Sequence, residues 1–320
     1  MTRRAVYLLA GGAALFAAAI AYGQFGPIGI QPLTNREMLL RLSAPTGVTF
    51  RIDRTTNLLG WNGLLTLTST GNNQHADSGA PYRQAGVYRA FELGVTNALT
   101  GDHLNTTNGD VTIHPIRHAS FVMSWNGLII YNDPDSPTNL YTGLPKADLI
   151  LVSHDHGDHF DTAALDVLRT NTTIIIAPQA VYNSMGAPLR ALTGILTNNM
   201  TTNLLGLRID AIPAYNANHP LGRGNGYVVT IGGRRIYMSG DTGDIPETRA
   251  LPEIDVAFLC MNLPFTMSVT QAVGVVRQFR PRVVYPYHFQ NMGGTFGDLN
   301  YFKRQVGTDV GVEVRIRKWY

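Results

Sequence analysis

The order of apolar and polar residues changes character near residue 111. From there onward, short apolar runs alternate with amphipathic stretches, as in strands separated by helices. Alternating strands and helices predict an α/β domain over residues 111–320. Its strands are predicted at 111–116, 120–124, 128–131, 149–153, 173–177, 207–212, 227–231, 235–239, 256–259 and 283–287.

Two of the intervening stretches carry signals for the start of a helix. Asp161 precedes the stretch 162–169, and Ser268 opens the stretch 268–279. Asp and Ser favour the position before a helix because their side chains accept a hydrogen bond from its first backbone N–H groups. We therefore predict helices over both stretches.

The N-terminal residues have the composition of a signal peptide. Arg3 and Arg4 precede an apolar run that ends at Ala21, and Gly23 supplies a small residue for cleavage. This pattern predicts a signal peptide over 1–23 and an exported protein, periplasmic or secreted. An uncleaved anchor helix is the alternative, although the apolar run is short for a membrane span. After cleavage no stable membrane span is expected.

Three further pieces precede the α/β domain. Residues 24–45 are predicted to be a linker with a short helix over 36–42, because Asn35 and Pro45 are residues that start and stop helices. Residues 46–93 contain Thr-rich apolar runs at 48–52 and 64–68 and predict a small β module, whose core includes Trp61 and Tyr88. Residues 94–110 are rich in Thr, Asn and Gly and predict a loop.

Charge and cysteine content exclude several classes of protein. The 25 Lys and Arg residues nearly balance 22 Asp and Glu residues, and no basic run follows Arg4. A nucleic-acid partner is therefore not expected. Cys260 is the single cysteine, so an internal disulfide is impossible. The sequence does not predict an oligomeric state.

The densest cluster of chemically active side chains follows the predicted strand 149–153. His154, His156, Asp158 and His159 stand within six residues. Side chains at this spacing cannot share one face of a helix, where neighbours are three or four residues apart. They can converge where a strand ends in a loop. Because burying such a cluster without a cation would leave polar groups unpaired, it predicts metal binding.

Three more ligand types follow predicted strands in the same way. His219, Asp241 and His288 each stand just past an apolar run, where α/β folds place their sites. Seven imidazole and carboxylate ligands suffice for two divalent ions. This mixture suits Zn²⁺, the expected metal, and also Mn or Fe.

These motifs resemble the five-motif pattern of the metallo-β-lactamase superfamily over roughly residues 100–320. The string Gly240-Asp241-Thr242-Gly243, with His118-Ala119-Ser120 and Asp133-Pro134, is similar to the branch of L-ascorbate-6-phosphate lactonases and N-acylphosphatidylethanolamine phospholipase D. The resemblance implies an αββα sandwich with a two-metal site at one edge. It implies two sets of ligands and one bridging residue: His154, His156 and His219; Asp158, His159 and His288; and Asp241.

The resemblance also implies a hydrolase. A hydroxide that bridges two metal ions would attack an ester, lactone or phosphodiester bond, since a zinc-bound water can ionise near neutral pH. The expected substrate is a small-molecule or lipid-like ester or phosphodiester. Asp158, Asp241 and His118 are predicted to take part in catalysis. True class B β-lactamases lack a bridging aspartate in the fourth motif, so Asp241 argues against antibiotic hydrolysis.

Five other residues are predicted to surround the ligands. Asp133 ends the strand 128–131 and is a candidate acceptor for the N–H of a ligating histidine, although a turn before Pro134 explains it equally well. Asp155 is a candidate for orienting a neighbour. The side chains that flank His219 are candidates for the substrate pocket: Tyr215, Asn216 and Arg223.

Two other functions remain possible on sequence grounds. A catalytically silent metal protein is disfavoured because structural zinc sites are usually closed and mononuclear. An iron-based redox protein of the same fold would normally need a flavin domain, for which no segment is apparent. The substrate itself is not predicted, because pocket loops determine it.

Overall fold

The computed structural model describes residues 17–21, 28–83, 86–93 and 99–320. The chain divides into two compact units, one of Met1–Asn105 with Asp110–His114 and one of Thr106–Gly109 with Pro115–Tyr320. None of the described helices is both long and apolar enough to cross a membrane. The predicted signal peptide lies outside the described residues except for Ala17–Ala21, whose backbone forms a strand. Export therefore stays a prediction.

The first unit is a β-sandwich. One sheet has the order β1-β7-β4-β5-β8 and the other the order β2-β3-β6, and side chains from both sheets share one apolar core. A single 3-10 turn, Ala80–Tyr82, follows β6. The strands are β1 (Ala17–Ala21), β2 (Gly29–Pro32), β3 (Met38–Ser43), β4 (Thr49–Thr55), β5 (Asn62–Thr68), β6 (Asn72–Asp77), β7 (Gly86–Glu92) and β8 (Gly101–Thr106).

The predicted helix over 36–42 is wrong, because that segment forms β3. Met38, Leu40 and Leu42 alternate into the core while the residues between them are half-buried or exposed. A short leucine-rich segment is compatible with the residue spacing of either a helix or a strand. Here the segment is a strand because it pairs with β2 and β6. The β module therefore includes residues that were predicted to be a linker.

The predicted loop 94–110 is also wrong in part, because β8 occupies Gly101–Thr106. Residues 94–98 lie outside the described residues. Asp102 and His103 are buried, and Thr66 forms a 2.8 Å hydrogen bond with the Nε2 of His103. The strand β8 was not predicted because its buried residues are polar, and buried strands are recognised in a sequence by apolar residues.

Asp77 links the strands of the first unit through a buried ionic cluster. It accepts hydrogen bonds from Arg54 at 2.8 and 2.9 Å and from the hydroxyl of Tyr88 at 2.8 Å. Tyr88 lies in the core, as predicted, whereas Trp61 is half-buried under the guanidinium of Arg89. Burial by itself raises the pKa of Asp77, but Arg54 and Arg83 together lower it to about 2.

We expect Asp77→Asn to lower the free energy of unfolding of the first unit by about 3 kcal/mol, because it leaves the buried Arg54 without a counter-charge. Hydrogen exchange of peptides covering β4 and β7 would measure the change. The carboxylate has a lowered pKa, so its contribution is present above the unfolded value near 3.8 and is lost as pH falls through about 2. Asp210→Asn, which alters a surface pair with Arg208, is the control. Equal exchange in both variants would contradict the assignment.

The second unit contains two facing sheets. The strand β9 (Gly109–Arg117) crosses the boundary between the units. In the first sheet β10 pairs antiparallel with β11, and β11 to β14 are parallel. Its strands are β10 (Ser120–Trp125), β11 (Leu128–Asn132), β12 (Leu149–Leu151), β13 (Ile174–Ala177) and β14 (Thr193–Ile195).

The second sheet has seven strands in chain order, antiparallel from β15 to β18 and parallel from β18 to β21. Phe121 of the first sheet stacks on Phe258 of the second with ring centres 4.1 Å apart, so the two sheets share a core. The strands are β15 (Thr201–Leu204), β16 (Leu207–Ala214), β17 (Gly224–Ile231), β18 (Arg234–Met238), β19 (Val256–Cys260), β20 (Val283–Tyr287) and β21 (Glu313–Val314).

Helices follow the strands of each sheet and complete the predicted αββα order. Both predicted caps are confirmed: Asp161 accepts the N–H of Ala164 at 2.8 Å, and Ser268 forms a capping box with Gln271. Beside a 3-10 turn at Thr138–Tyr141, the helices are α1 (Thr162–Leu168), α2 (Gln179–Ser184), α3 (Ala187–Arg190), α4 (Pro246–Arg249), α5 (Val269–Phe279) and α6 (Leu299–Val306). The predicted strands of this unit are present, within a few residues at each end.

Candidate metal centre

The candidate ligands stand on loops that follow strands of both sheets. The loop after β12 carries the string from His154 to His159 before α1 begins. His219 lies between β16 and β17, Asp241 follows β18, and His288 follows β20 directly. Parallel strands end at the same edge of their sheet, so these loops meet where the two sheets share an edge.

The loop after β12 folds back on itself. The carbonyl of His156 accepts the N–H groups of His159 and Phe160 at 3.0 and 2.9 Å. Gly157 has no left-handed backbone, and a Cβ atom there would meet open space. The turn therefore depends on the hydrogen bonds of His156 and not on the freedom of a glycine.

The first group of candidate ligands is His154, His156 and His219, the set that the family resemblance implies. One ligand atom from each lies within 4.8 Å of the others. The Nε2 of His219 is 3.0 Å from the Nδ1 of His156. Three imidazoles at this separation suit one divalent ion.

The second group contains Asp158, His159 and His288, together with His118. The Oδ2 of Asp158 lies 3.5 Å from the Nε2 of His288 and 3.0 Å from the Nε2 of His118. His159 and His288 are fully buried, whereas the side chain of Asp158 is half exposed. The second group thus contains the most exposed of the candidate ligands, whereas His156 of the first group is half-buried.

Asp241 stands between the two groups. Its Oδ1 lies 3.1 Å from the Nε2 of His159 and 3.3 Å from the Nε2 of His288. Its Oδ2 lies 3.7 and 3.8 Å from the Nε2 atoms of His219 and His154. Burial by itself raises the pKa of Asp241, but the rings of His288 and His159 hold it well below its usual range. This is the position of a carboxylate that could bridge two ions.

Hydrogen bonds on the far side of three histidine rings orient their Nε2 atoms toward this centre. The Nδ1 of His154 is 3.0 Å from the hydroxyl of Ser153, and the Nδ1 of His219 is 3.0 Å from the Oδ1 of Asn216. The Nδ1 of His159 donates to the Oδ2 of Asp133 at 2.8 Å. A proton held on Nδ1 leaves the Nε2 lone pair free to bind a metal ion.

The centre leaves polar atoms without partners among the described residues. Five buried atoms make no hydrogen bond: the Nε2 atoms of His154, His159 and His288, the Nδ1 of His288 and the Oδ1 of Asp241. Burying unpaired polar atoms is costly, and here the three Nε2 atoms and the Oδ1 face the same space. The donor set of imidazoles and carboxylates fits divalent ions such as Zn²⁺, Mn²⁺ or Fe²⁺.

His118 adds a fourth side chain to the second group. Its ring centre lies 3.6 Å from that of His288, and its Nδ1 is 2.5 Å from the hydroxyl of Tyr320. Burial lowers the pKa of His118 to about 4, so the ring is neutral near pH 7. A neutral ring that accepts from Tyr320 presents an N–H to Asp158. His118 is thus placed to hold Asp158 in one orientation.

Three residues of the centre have left-handed backbones. The φ angles are 55° at His118, 43° at Asp133 and 47° at His288. Such angles are uncommon outside glycine and cost free energy, so the surrounding structure must impose them. His118 and His288 constrain each other directly, because the N–H of His288 donates to the carbonyl of His118 at 3.0 Å.

Asp133 and Asp155 have distinct partners. Asp133 is fully buried and accepts from the N–H and the hydroxyl of Ser153 at 2.6 and 2.8 Å, in addition to His159. It therefore contacts a candidate ligand and does not act only as a turn residue. Asp155 pairs with Arg223 through two contacts of 3.0 and 3.2 Å.

The residues predicted to line the pocket are engaged in contacts of other kinds. Asn216 accepts from His219 and donates its amide to the carbonyl of Asp241 at 3.0 Å, so it supports two candidate ligands. The hydroxyl of Tyr215 donates to Glu247 at 3.1 Å. Arg223 is held by Asp155. The positions of all three side chains are therefore accounted for by contacts within the protein.

Sequence reasoning did not find Ser153 and Tyr320. Ser153 touches Asp133, His154 and His159, and its place directly before His154 was a signal that could have been used. Tyr320 reaches His118 across 202 positions of sequence. No local pattern reports a contact of that span.

A profile of the beta-lactamase superfamily domain matches residues 112–288. A metal-dependent hydrolase of Thermococcus kodakarensis is 31% identical over 221 residues, which are 64% of this chain and 96% of the relative. One of Pyrococcus abyssi is 29% identical over 222 residues, with the same two shares.

Solved structures agree with these matches. A structure described as a metal-dependent hydrolase, from Parabacteroides distasonis, has 37% identity and a TM-score of 0.62, covering 69% of this chain and 99% of its own. The diiron β-hydroxylase CmlA of Streptomyces venezuelae covers 67% of this chain and 54% of its own at 18% identity, with a TM-score of 0.52, and shows the fold alone. The narrower likeness to lactonases and phospholipase D stays a prediction. The chain belongs to the metallo-β-lactamase superfamily, among relatives that are metal-dependent hydrolases.

Proposed function

We propose that this protein is a dinuclear metal-dependent hydrolase that cleaves an ester, lactone or phosphodiester bond. The observation that supports it is the set of buried, unpartnered Nε2 and carboxylate atoms that face one space from both sides of Asp241. A closed structural zinc site would need four ligands around one ion. Here seven candidate ligands form two groups, and one group has a half-exposed member.

His154, His156 and His219 would hold one ion and Asp158, His159 and His288 the other, with Asp241 shared. When bound, divalent ions would lower the pKa of a water molecule between them and polarise the bond to be cleaved. Ser153, Asp133 and Asn216 keep three rings in the tautomer that can bind. Zinc is the first choice of metal, with manganese and iron as alternatives.

The chain itself positions the reacting groups. His118 donates to Asp158 and is in turn held by Tyr320, so the half-exposed carboxylate has a defined orientation. The half-exposed position of Asp158 is where a substrate would approach. Among the described residues, the centre has no serine or cysteine placed as a nucleophile, since the buried hydroxyl of Ser153 is already bonded to Asp133.

We expect about two divalent ions per chain when the protein is purified with zinc or manganese supplied, because the ligand set divides into two groups. Elemental analysis of the dialysed protein measures the ratio. Removal of the ions by a chelator should abolish hydrolysis, and added metal should restore it. A ratio that stays at one or below would contradict the dinuclear centre.

Assays with three bond types test the hydrolase itself. The metal-loaded protein is offered a p-nitrophenyl ester, a lactone and bis(p-nitrophenyl) phosphate. Turnover of at least one, lost with His219→Ala, is expected. A protein that binds two ions and cleaves none of them would be a silent metal protein. Iron-specific oxygen consumption without hydrolysis would indicate redox chemistry.

A further inference from the structure

Large apolar side chains are exposed on segments that follow strands β16, β19, β20 and β21 of the second sheet. They lie between 38% and 68% exposed. Leu221 stands two residues after His219, and Met292 stands four residues after His288. We name the set the apolar rim: Leu221, Leu263, Phe265, Met292, Phe296 and Tyr320.

Hydrogen bonds connect the segments of the rim to one another. The side-chain amide of Asn218 donates to the carbonyl of Pro264 at 3.1 Å. The N–H of Leu263 donates to the Oδ1 of Asn291 at 2.9 Å, and the N–H of Met292 donates to the carbonyl of Leu263 at 3.1 Å. The three segments after β16, β19 and β20 are therefore held next to one another.

The aromatic end of the rim reaches the metal centre. The ring of Tyr320 lies 5.3 Å from that of Phe296 and 5.0 Å from that of Phe289, while its hydroxyl bonds to His118. The N–H of Met261, just after β19, donates to the carbonyl of His288 at 3.2 Å. A molecule that reacts at the centre is therefore within reach of the rim.

The three loop segments of the rim carry no formal charge. The segments 216–222, 261–268 and 289–297 contain no Asp, Glu, Lys or Arg, although such residues make up 15% of the chain. Two nearby cations are engaged: Arg223 pairs with Asp155, and Arg117 donates to the carbonyl of Ser136. The three segments thus offer apolar contact and no cation of their own, and the exposed Lys318 stands two residues before Tyr320.

We propose that the substrate is an uncharged ester or lactone with an apolar acyl group, which lies on the rim while its carbonyl meets the metal centre. The proposal rests on the proposed function and narrows it. Water adds its oxygen to the acyl carbon, the bond from that carbon to the alcohol oxygen breaks, and a water proton goes to the departing alcohol. Exposed apolar side chains gathered on adjoining loops mark a binding site, and beside a polar centre they suit an amphiphilic molecule.

The first test compares p-nitrophenyl octanoate with p-nitrophenyl acetate. We expect kcat/KM to be at least about tenfold higher for the octanoate, because each buried methylene contributes favourably. In the double variant Leu221→Gln/Met292→Gln the ratio should fall about tenfold, which corresponds to about 1.4 kcal/mol. Met200→Gln, at another exposed methionine on the turn before β15, is the control and should keep the ratio. A ratio near one in the native protein would overturn the proposal.

The second test measures binding without turnover. Calorimetry compares octanoyl hydroxamate with acetohydroxamate on the zinc-loaded protein. Tighter binding of the longer chain, lost in the double variant, supports the rim even if no ester is cleaved and the proposed function fails. Equal binding of both overturns the inference while leaving the hydrolase intact. Co-sedimentation with phosphatidylcholine vesicles that the double variant loses, without a change in chain-length preference, would also overturn it and indicate a membrane surface.

Discussion

Replacing Asp241 by asparagine is expected to lower kcat about a hundredfold or more on any substrate that the protein cleaves. The carboxylate is buried and lies within 3.1–3.8 Å of the Nε2 atoms of four histidines from both groups. Asparagine keeps the size but removes the charge that offsets two dications, so the second ion should bind more weakly. The loss should appear mainly in kcat, because stabilisation by the second ion is strongest in the transition state.

Steady-state kinetics together with metal content test this expectation. Asp244→Asn is the matched control, because Asp244 lies in the same loop and binds Arg249 at 2.5 and 2.7 Å instead of a histidine. It should keep both ions and most of the activity. If Asp241→Asn retained two ions and native kcat while Asp244→Asn lost them, the bridging assignment would be wrong.

Replacing Asp133 by asparagine is expected to weaken metal binding about tenfold to a hundredfold, although Asp133 belongs to neither ligand group. The carboxylate accepts three hydrogen bonds, two from Ser153 and one from His159. An amide has one accepting oxygen, so its NH₂ group must face one of these donors. His159 can avoid that clash by moving its proton to Nε2, which removes the lone pair that a metal ion needs.

The backbone conformation at residue 133 can accommodate asparagine. The φ angle of Asp133 is 43°, and asparagine tolerates the left-handed region better than most residues. Competition with a chromophoric chelator measures the affinity. Asp135→Asn is the control, because Asp135 is also buried two residues further on but pairs with Tyr141 and Arg117 and forms no hydrogen bond with a histidine. Unchanged affinity in Asp133→Asn, or an equal loss in both variants, would refute a role through His159.

Local sequence was sufficient for the strands of the second unit and for singling out its candidate ligands. Its strands β12, β19 and β20 are buried on both faces and read as apolar runs. Candidate ligands follow β12, β18 and β20 within three residues, as at His288 directly after β20. The segment from His154 to His159 was recognisable as a metal site because its side chains cannot share one face of a helix and because burying them without a cation would leave polar groups unpaired. In the first unit the same reasoning failed for two strands. The leucines of β3 are spaced as in either a helix or a strand, and β8 contains buried polar residues.

Tertiary structure alone decided how the ligands are held and what surrounds them. Whether Asp133 was a turn residue or a partner of His159 depended on a contact between residues 26 positions apart. Tyr320 reaches His118 across the whole second unit, and the apolar rim joins three loops that are distant in sequence. The chemistry of each ligand is a property of a single residue and its neighbours, so sequence determined it. Orientation and environment depend on packing between distant segments, which no local pattern encodes.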